Sequence, residues 1–163
     1  MQYTLSILVE KQAGVLSKIS GLFSRRGFNI DSLAVGVTAD ANVSRITIVA
    51  NGDEYVVEQL EKQLNKVIPV IKVKRLNDGE FISRELILIK VHCAASKRAE
   101  IIKTAEIMQA KIVDAAPDCV TVEYCETSAR VKTLIDMLKP YGIREIVRTG
   151  TIAIDRGNAA VSV

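Results

Sequence analysis

The chain of 163 residues has no tryptophan, three phenylalanines, four tyrosines and a single histidine. So few aromatic rings exclude the stacked-base platform by which sheets read single-stranded RNA. The one histidine, His92, leaves no convincing Ser-His-Asp or Cys-His catalytic arrangement. It stands beside Cys93 in an apolar strand, where neighbours point to opposite faces, so the two do not form a chelating pair. Three cysteines, Cys93, Cys119 and Cys125, cannot all pair within one chain and lack metal-type spacing. Cys119 and Cys125, on one strand face, are too far apart for a direct bridge. A reducing, cytoplasmic setting is expected. No apolar run approaches the ~20 residues that span a membrane. Met1-Gln2-Tyr3-Thr4 passes straight into strand alternation, with no basic-then-apolar signal peptide. The 22 basic and 19 acidic residues give a net +3, too even for a nucleic-acid-binding face.

What is abundant is aliphatic. Hydrophobic residues make up 48% of the chain, and Val, Ile and Leu dominate them, which favours strands and an aliphatic core. Tyr3, Leu5, Ile7 and Val9 alternate with Thr4, Ser6 and Glu10, predicting a half-buried strand. Gly14 opens a helix with a stripe of Val15, Leu16, Ile19, Leu22 and Phe23. Arg25 and Arg26 complement its negative end, and Gly27 is its left-handed cap. Phe28–Val37 and Val43–Val49 form a hairpin about Asp40-Ala41-Asn42. Asp53 caps a second helix carrying Val56, Leu60, Leu64 and Val67, while Asp53-Glu54 reads as a pair of helix-start charges. Pro69 stops this helix and a fourth strand, Val70–Lys74, follows. The order is β-α-β-β-α-β, an antiparallel sheet with two helices on one face.

Asn77-Asp78-Gly79-Glu80 breaks the pattern, and the order then recurs. Leu86–Cys93 is a strand. Ser96 is the expected cap of a helix bearing Ile101, Ile102, Ala105 and Met108. Lys111–Ala115 and Val120–Cys125 flank the Pro117-Asp118 turn. Thr127 or Ser128 starts a helix with Val131, Leu134, Ile135 and Leu138, closed by Pro140 and Gly142. Ile143–Val147, extended towards Ile154, is the last strand, and Asn158–Val163 is expected to be loose. The chain is therefore read as α+β, with two ferredoxin-like domains: residues 1–76, a linker at 77–83, and 84–163. Each is near 80 residues, where a single core is marginal. The bare sheet face and edges of the first domain predict a homodimer, edge to edge or side by side.

Neither Gly14 nor Gly27 sits where a phosphate loop or a nucleophile needs it. They bring backbone turns to the edge of a sheet, where a small polar metabolite can be held. That points to a sensor. The flanking residues carry a specific resemblance: Gly14-Val15-Leu16-Ser17, Gly21-Leu22-Phe23-Ser24-Arg25-Arg26-Gly27-Phe28-Asn29-Ile30, Val43-Ser44-Arg45-Ile46-Thr47-Ile48, Arg84-Glu85-Leu86 leading to Lys90-Val91, and Arg148-Thr149-Gly150. Across essentially its whole length the chain resembles the small regulatory subunit of acetolactate synthase, also called acetohydroxyacid synthase.

The resemblance implies that residues 1–76 are an ACT domain, an amino-acid-sensing module, and that the chain has no catalytic site. It further implies a large-subunit partner that uses thiamine diphosphate, Mg²⁺ and FAD to condense two pyruvates, or pyruvate with 2-oxobutyrate. None of these cofactors is expected on this chain. The small subunit raises that partner's activity in branched-chain amino-acid biosynthesis and confers feedback inhibition by valine. By position, Gly14, Val15 and Leu16 of one subunit would face Asn29 and Ile30 of its neighbour across a two-fold axis. Amides at a helix start suit the carboxylate of valine or another branched-chain amino acid, and Asn29 can serve either charged group. The chain departs from the pattern at Lys11, where the family often has Asn or Asp. Its ammonium would repel that of the ligand unless it reaches the carboxylate or turns to solvent.

Other readings fit less well. An ACT-type regulator of a different metabolic enzyme is the alternative. A transcriptional regulator needs a helix-turn-helix, yet both halves are taken up by β-α-β-β-α-β patterns. An acylphosphatase-like enzyme needs an arginine in a phosphate-clamping loop, which Lys11-Gln12-Ala13-Gly14 lacks. Arg45, inside a strand, pairs with an acid or a partner chain or stands as a surface charge.

Overall fold

Aliphatic alternation and the two glycine turns build six elements in order: β1 (Gln2–Glu10), α1 (Val15–Arg25), β2 (Asn29–Val37), β3 (Val43–Asn51), α2 (Glu54–Leu64) and β4 (Val70–Leu76). The computed structural model describes residues 1–163. All strands of the first sheet are antiparallel, in the order β2-β3-β1-β4. One face carries the core: Leu5, Ile7 and Val9 of β1 and Ile46, Ile48 and Ala50 of β3 meet Val15, Ile19 and Phe23 of α1 and Val57, Leu60 and Leu64 of α2. Phe28 packs edge-on to Phe23, with ring centroids 6.1 Å apart. Gly27 takes φ +71° after α1, and Asp53 Oδ1 accepts from Tyr55 N at 2.9 Å to cap α2, both as expected. The helix faces differ in detail. Leu16 is exposed, not part of the buried stripe, and Val57 takes the fully buried place expected for Val56.

The second sequence of elements is β5 (Phe81–His92), α3 (Arg98–Met108), β6 (Lys111–Ala116), β7 (Cys119–Glu126), α4 (Ser128–Leu138) and β8 (Ile143–Arg148). Its antiparallel strands run in the order β6-β7-β5-β8. Ile87, Ile89 and Val91 alternate into a core with Val120, Val122, Tyr124, Ile101, Met108, Val131, Leu134 and Leu138. Ser96 does not cap α3; it lies within a 3-10 turn, Ala95–Lys97, and Lys97 stands at the N-cap. Thr127 does cap α4. β5 begins at Phe81, within the stretch 77–83 read as a linker.

The chain divides into two units, Met1–Ile82 with Thr151–Val163, and Ser83–Gly150. The final segment thus groups with the first unit, against the expected span of 84–163. The expected last strand is split, since Gly150 (φ +85°) separates β8 from a short β9 (Ile152–Asp155). Four bonds involving side chains tie the closing segment to the first sheet: Thr151 N donates to Ser32 Oγ (2.6 Å), Arg45 to Ala153 O (2.6 Å), Lys74 Nζ to Asp155 Oδ1 (3.0 Å), and Lys72 Nζ to Ser162 O (3.3 Å). Their partners lie on β2, β3 and β4. β1 is not half-buried as its alternation predicted. Ser6 is fully buried and Leu8 nearly so, on the side away from the helices. The edge strands of the first sheet are β2 and β4, and on β2 Val35 and Val37 are exposed.

Candidate functional site

Three carboxamides stand in a row at one end of the first sheet, because the register pairs Asn29 of β2 with Asn51 of β3, and Asn51 with Gln2 of β1. The β2 register shifts between Ile30 and Ser32, so Asp31 occupies a bulge. A bulge turns its extra side chain out of the regular pleat. Asp31 there accepts from Asn29 Nδ2 (3.3 Å), from Gln2 Nε2 (3.2 Å) and from Asn51 Nδ2. The bond to Asp31 occupies the amide side of Asn29 and leaves its Oδ1 outward as an acceptor. Ile30 is half-buried against the helical core. This end of the sheet is therefore acceptor-rich, suited to an ammonium.

The second candidate group lies at the β1–α1 turn. Gly14 holds φ +81°, which L side chains rarely adopt, and an added Cβ would meet nothing within 4 Å. Glycine is required there for backbone conformation and not for room. The start of α1 has no side-chain cap. Its first N–H groups, at the positive end of the helix, suit a carboxylate. Val15 is buried in the core, whereas Leu16 is 43% exposed and available as an apolar wall. Lys11 has an exposed side chain, while its N–H donates to Asn42 O at 2.8 Å.

One chain does not bring these groups together. Gln2 and Asn29 mark one end of the sheet, and Glu10, paired with Val43, marks the other. At ~3.3 Å per residue the ends are roughly 25 Å apart. The carboxylate-type and ammonium-type half-sites thus face opposite ways along the strands.

Sequence reading named Gly14, Val15, Leu16, Asn29 and Ile30 and did not single out Asp31, Gln2 or Asn51, which the structure brings beside Asn29. Only the strand register joins these last three, and the register has no local sequence signal. Arg45 meets a backbone carbonyl, with Asp155 close by; burial lowers its pKa and Asp155 opposes that. Arg25 stays at the helix end, its Nε on Gly21 O at 3.4 Å. Cys93, Cys119 and Cys125 are unpaired, and no three His, Cys, Asp or Glu side chains converge on a metal position. No helix is long and apolar enough to cross a membrane.

Residues 5–72 match the family model described as an AHAS small subunit-like ACT domain, and residues 84–157 match that of the small subunit of acetolactate synthase. The chain is 47% identical over 158 residues to a probable acetolactate synthase small subunit of Archaeoglobus fulgidus, covering 97% of this chain and 99% of the relative. It is 46% identical over 155 residues to the acetolactate synthase small subunit of Mycolicibacterium smegmatis, covering 95% and 91%. A crystal structure of the acetolactate synthase small subunit from Thermotoga maritima superposes with a TM-score of 0.89 at 35% identity, covering 98% of this chain and 99% of that one.

Proposed function

The chain belongs to the acetolactate synthase small-subunit family, and from that membership we propose that it is the regulatory partner of an acetolactate synthase large subunit. In this reading it raises the large subunit's turnover and makes it sensitive to valine. Catalysis, with thiamine diphosphate, Mg²⁺ and FAD, belongs to the large subunit, and none of it to this chain.

The observation that carries the valine reading is the separation of the two half-sites along one sheet. A two-fold axis beside the open β2 edge reverses strand direction. It sets the Gly14 turn of one copy against the Asn29 end of another. The ligand carboxylate then meets the amides of Gly14, Val15 and Leu16, and its ammonium meets Asn29 Oδ1 with Asp31 behind it. Leu16 and Ile30 flank the branched side chain, and Lys11 turns to solvent. Two copies joined at β2 also cover Val35 and Val37, and the β2 edge is paired.

The test is turnover of a purified large subunit with and without this chain, each with and without valine. Addition of the chain is expected to raise the rate. Valine is then expected to lower it by a coupling of ~1–3 kcal/mol, roughly a 5- to 150-fold effect. Equal rates with and without the chain overturn the regulatory reading. Activation that valine leaves untouched overturns the effector assignment alone.

A further inference from the structure

The second unit carries an open surface cavity of about 320 Å³ that the effector reading does not use, lined by the half-buried Tyr141 and the exposed His92, Ala94, Lys97, Glu100 and Pro140. It opens at the turn from β5 to α3, the counterpart in the second βαββαβ unit of the Gly14 turn in the first. Its acceptors are engaged. Glu100 takes Lys97 Nζ on Oε1 at 3.2 Å and the Tyr141 hydroxyl on Oε2 at 3.1 Å. Those two bonds, Lys97 foremost, hold its carboxyl below the usual range, so it is ionised at neutral pH. At the rim, Arg144 donates to Asp118 Oδ2 at 3.1 Å and contacts His92 Nδ1 at 3.0 Å.

The unspent groups are donors. An arginine has no acceptor, so its contact makes Nδ1 of His92 the accepting nitrogen and puts the proton of the neutral ring on Nε2. Lys97 has two further N–H bonds beyond the one given to Glu100. The cavity also lies at the start of α3, an eleven-residue helix whose N-cap, Lys97, makes no side-chain capping bond. That end favours negative charge. Ala94, Pro140 and the Tyr141 ring supply the apolar wall. The volume falls at the lower end of small-ligand sites, ~300–1,000 Å³, and exceeds what a bare inorganic ion fills.

We propose that this cavity binds a small organic anion, its carboxylate or phosphate held by Lys97 Nζ and His92 Nε2–H and its carbon skeleton laid against Pro140 and Tyr141. The site is separate from the amino-acid half-sites and stands whether or not valine is the effector.

Since His92 is the only histidine, the imidazole C–H signals in the proton NMR spectrum of the full chain report on this cavity without further assignment. At fixed pH the chain is titrated with butyrate, with butyl phosphate and with inorganic phosphate, against potassium chloride at equal ionic strength. A saturable shift of the His92 signals is expected with butyrate, butyl phosphate or both, and the stronger of the two identifies the anionic group. Lys97 is exposed, so Lys97→Ala should fold, and it is expected to weaken binding on the order of tenfold or more. Asn29→Ala should leave the titration unchanged. A linear drift no larger than that with chloride overturns the proposal. So does a Lys97→Ala chain that titrates like the wild type, or saturation by inorganic phosphate alone.

Discussion

Thr151 N donates to Ser32 Oγ across 2.6 Å, and Ser32 follows the Asp31 bulge directly. This contact joins the closing segment to the strand carrying the ammonium-type half-site. On the face away from the helices Ser6 is fully buried and Thr47 nearly so.

Ser32→Ala removes the acceptor of the buried Thr151 N–H. A donor left unsatisfied costs ~1–3 kcal/mol. A fall of that size in unfolding free energy is expected from urea denaturation, with Ser32→Thr, which keeps the hydroxyl, closer to wild type. Equal stability of Ser32→Ala and wild type counts against the closing segment as part of the first unit.

Lys74 and Asp155 form a second tie, with side chains 34% and 6% exposed. Lys74→Ala strands a buried carboxylate that already has one oxygen, Oδ2, without a hydrogen-bond partner. Breaking one side of such a pair costs up to ~3–5 kcal/mol, less here because Lys74 is partly wet. Lys74→Ala combined with Asp155→Ala should cost less than the sum of the two single changes. A double-mutant cycle that is additive within error removes the pair from the account.

Glu61 has its carboxyl pushed up by burial, with the Arg75 charge opposing and Glu58 adding. Arg75 Nε stands 3.6 Å from Glu61 Oε1, an ion pair beyond hydrogen-bond reach, and that oxygen has no hydrogen-bond partner. A carboxyl raised on folding binds its proton more tightly in the native state. Its contribution to stability is therefore full below the ordinary glutamate range and is lost as pH rises through the elevated value. Glu61→Gln should stabilise the chain at neutral pH, and the gain should vanish in acid. Melting temperatures of the two chains from neutral pH to pH 4 check this, and a gain that grows in acid reverses the sign.

Gly52 follows β3, and a Cβ built there would lie within the Phe28 ring. Phe28 is core and has little room to move, so Gly52→Ala should cost at least ~1–3 kcal/mol by overpacking. Denaturation of Gly52→Ala beside Gly52→Ala with Phe28→Leu tests the cause. The smaller second side chain should recover part of the loss.

Leu16→Asp and Asn29→Ala each break a different half of the proposed effector site, on different copies. Each variant alone should show no thermal shift with valine. Mixed and re-annealed, half of the dimers are hybrids with one intact site, so about a quarter of wild-type valine capacity should return. No recovery on mixing overturns the site shared between two copies.

Secondary structure was largely legible from residue order. Gly27 and Asp53 are local signals whose physics ends within a turn, and both act as read. Ser96 was misread because a 3-10 turn displaced the helix start to Arg98, with Lys97 as cap. Leu16 was misread because a helical stripe gives the direction of the core but not its width.

The sequence by itself determined two βαββαβ patterns, an aliphatic core, a left-handed Gly14 before an uncapped helix, and a family resemblance that later comparison bore out. These depend on neighbours a few residues apart, where propensity, period and capping decide the outcome. Tertiary structure alone decided that Asp31 gathers Gln2, Asn29 and Asn51, that the half-sites lie at opposite ends of one sheet, and that Thr151–Asp155 bonds to β2, β3 and β4. Each of these is set by strand register or by contact between residues up to 119 apart in the chain. Register is settled by burial of the whole sheet, to which no short stretch of sequence has access.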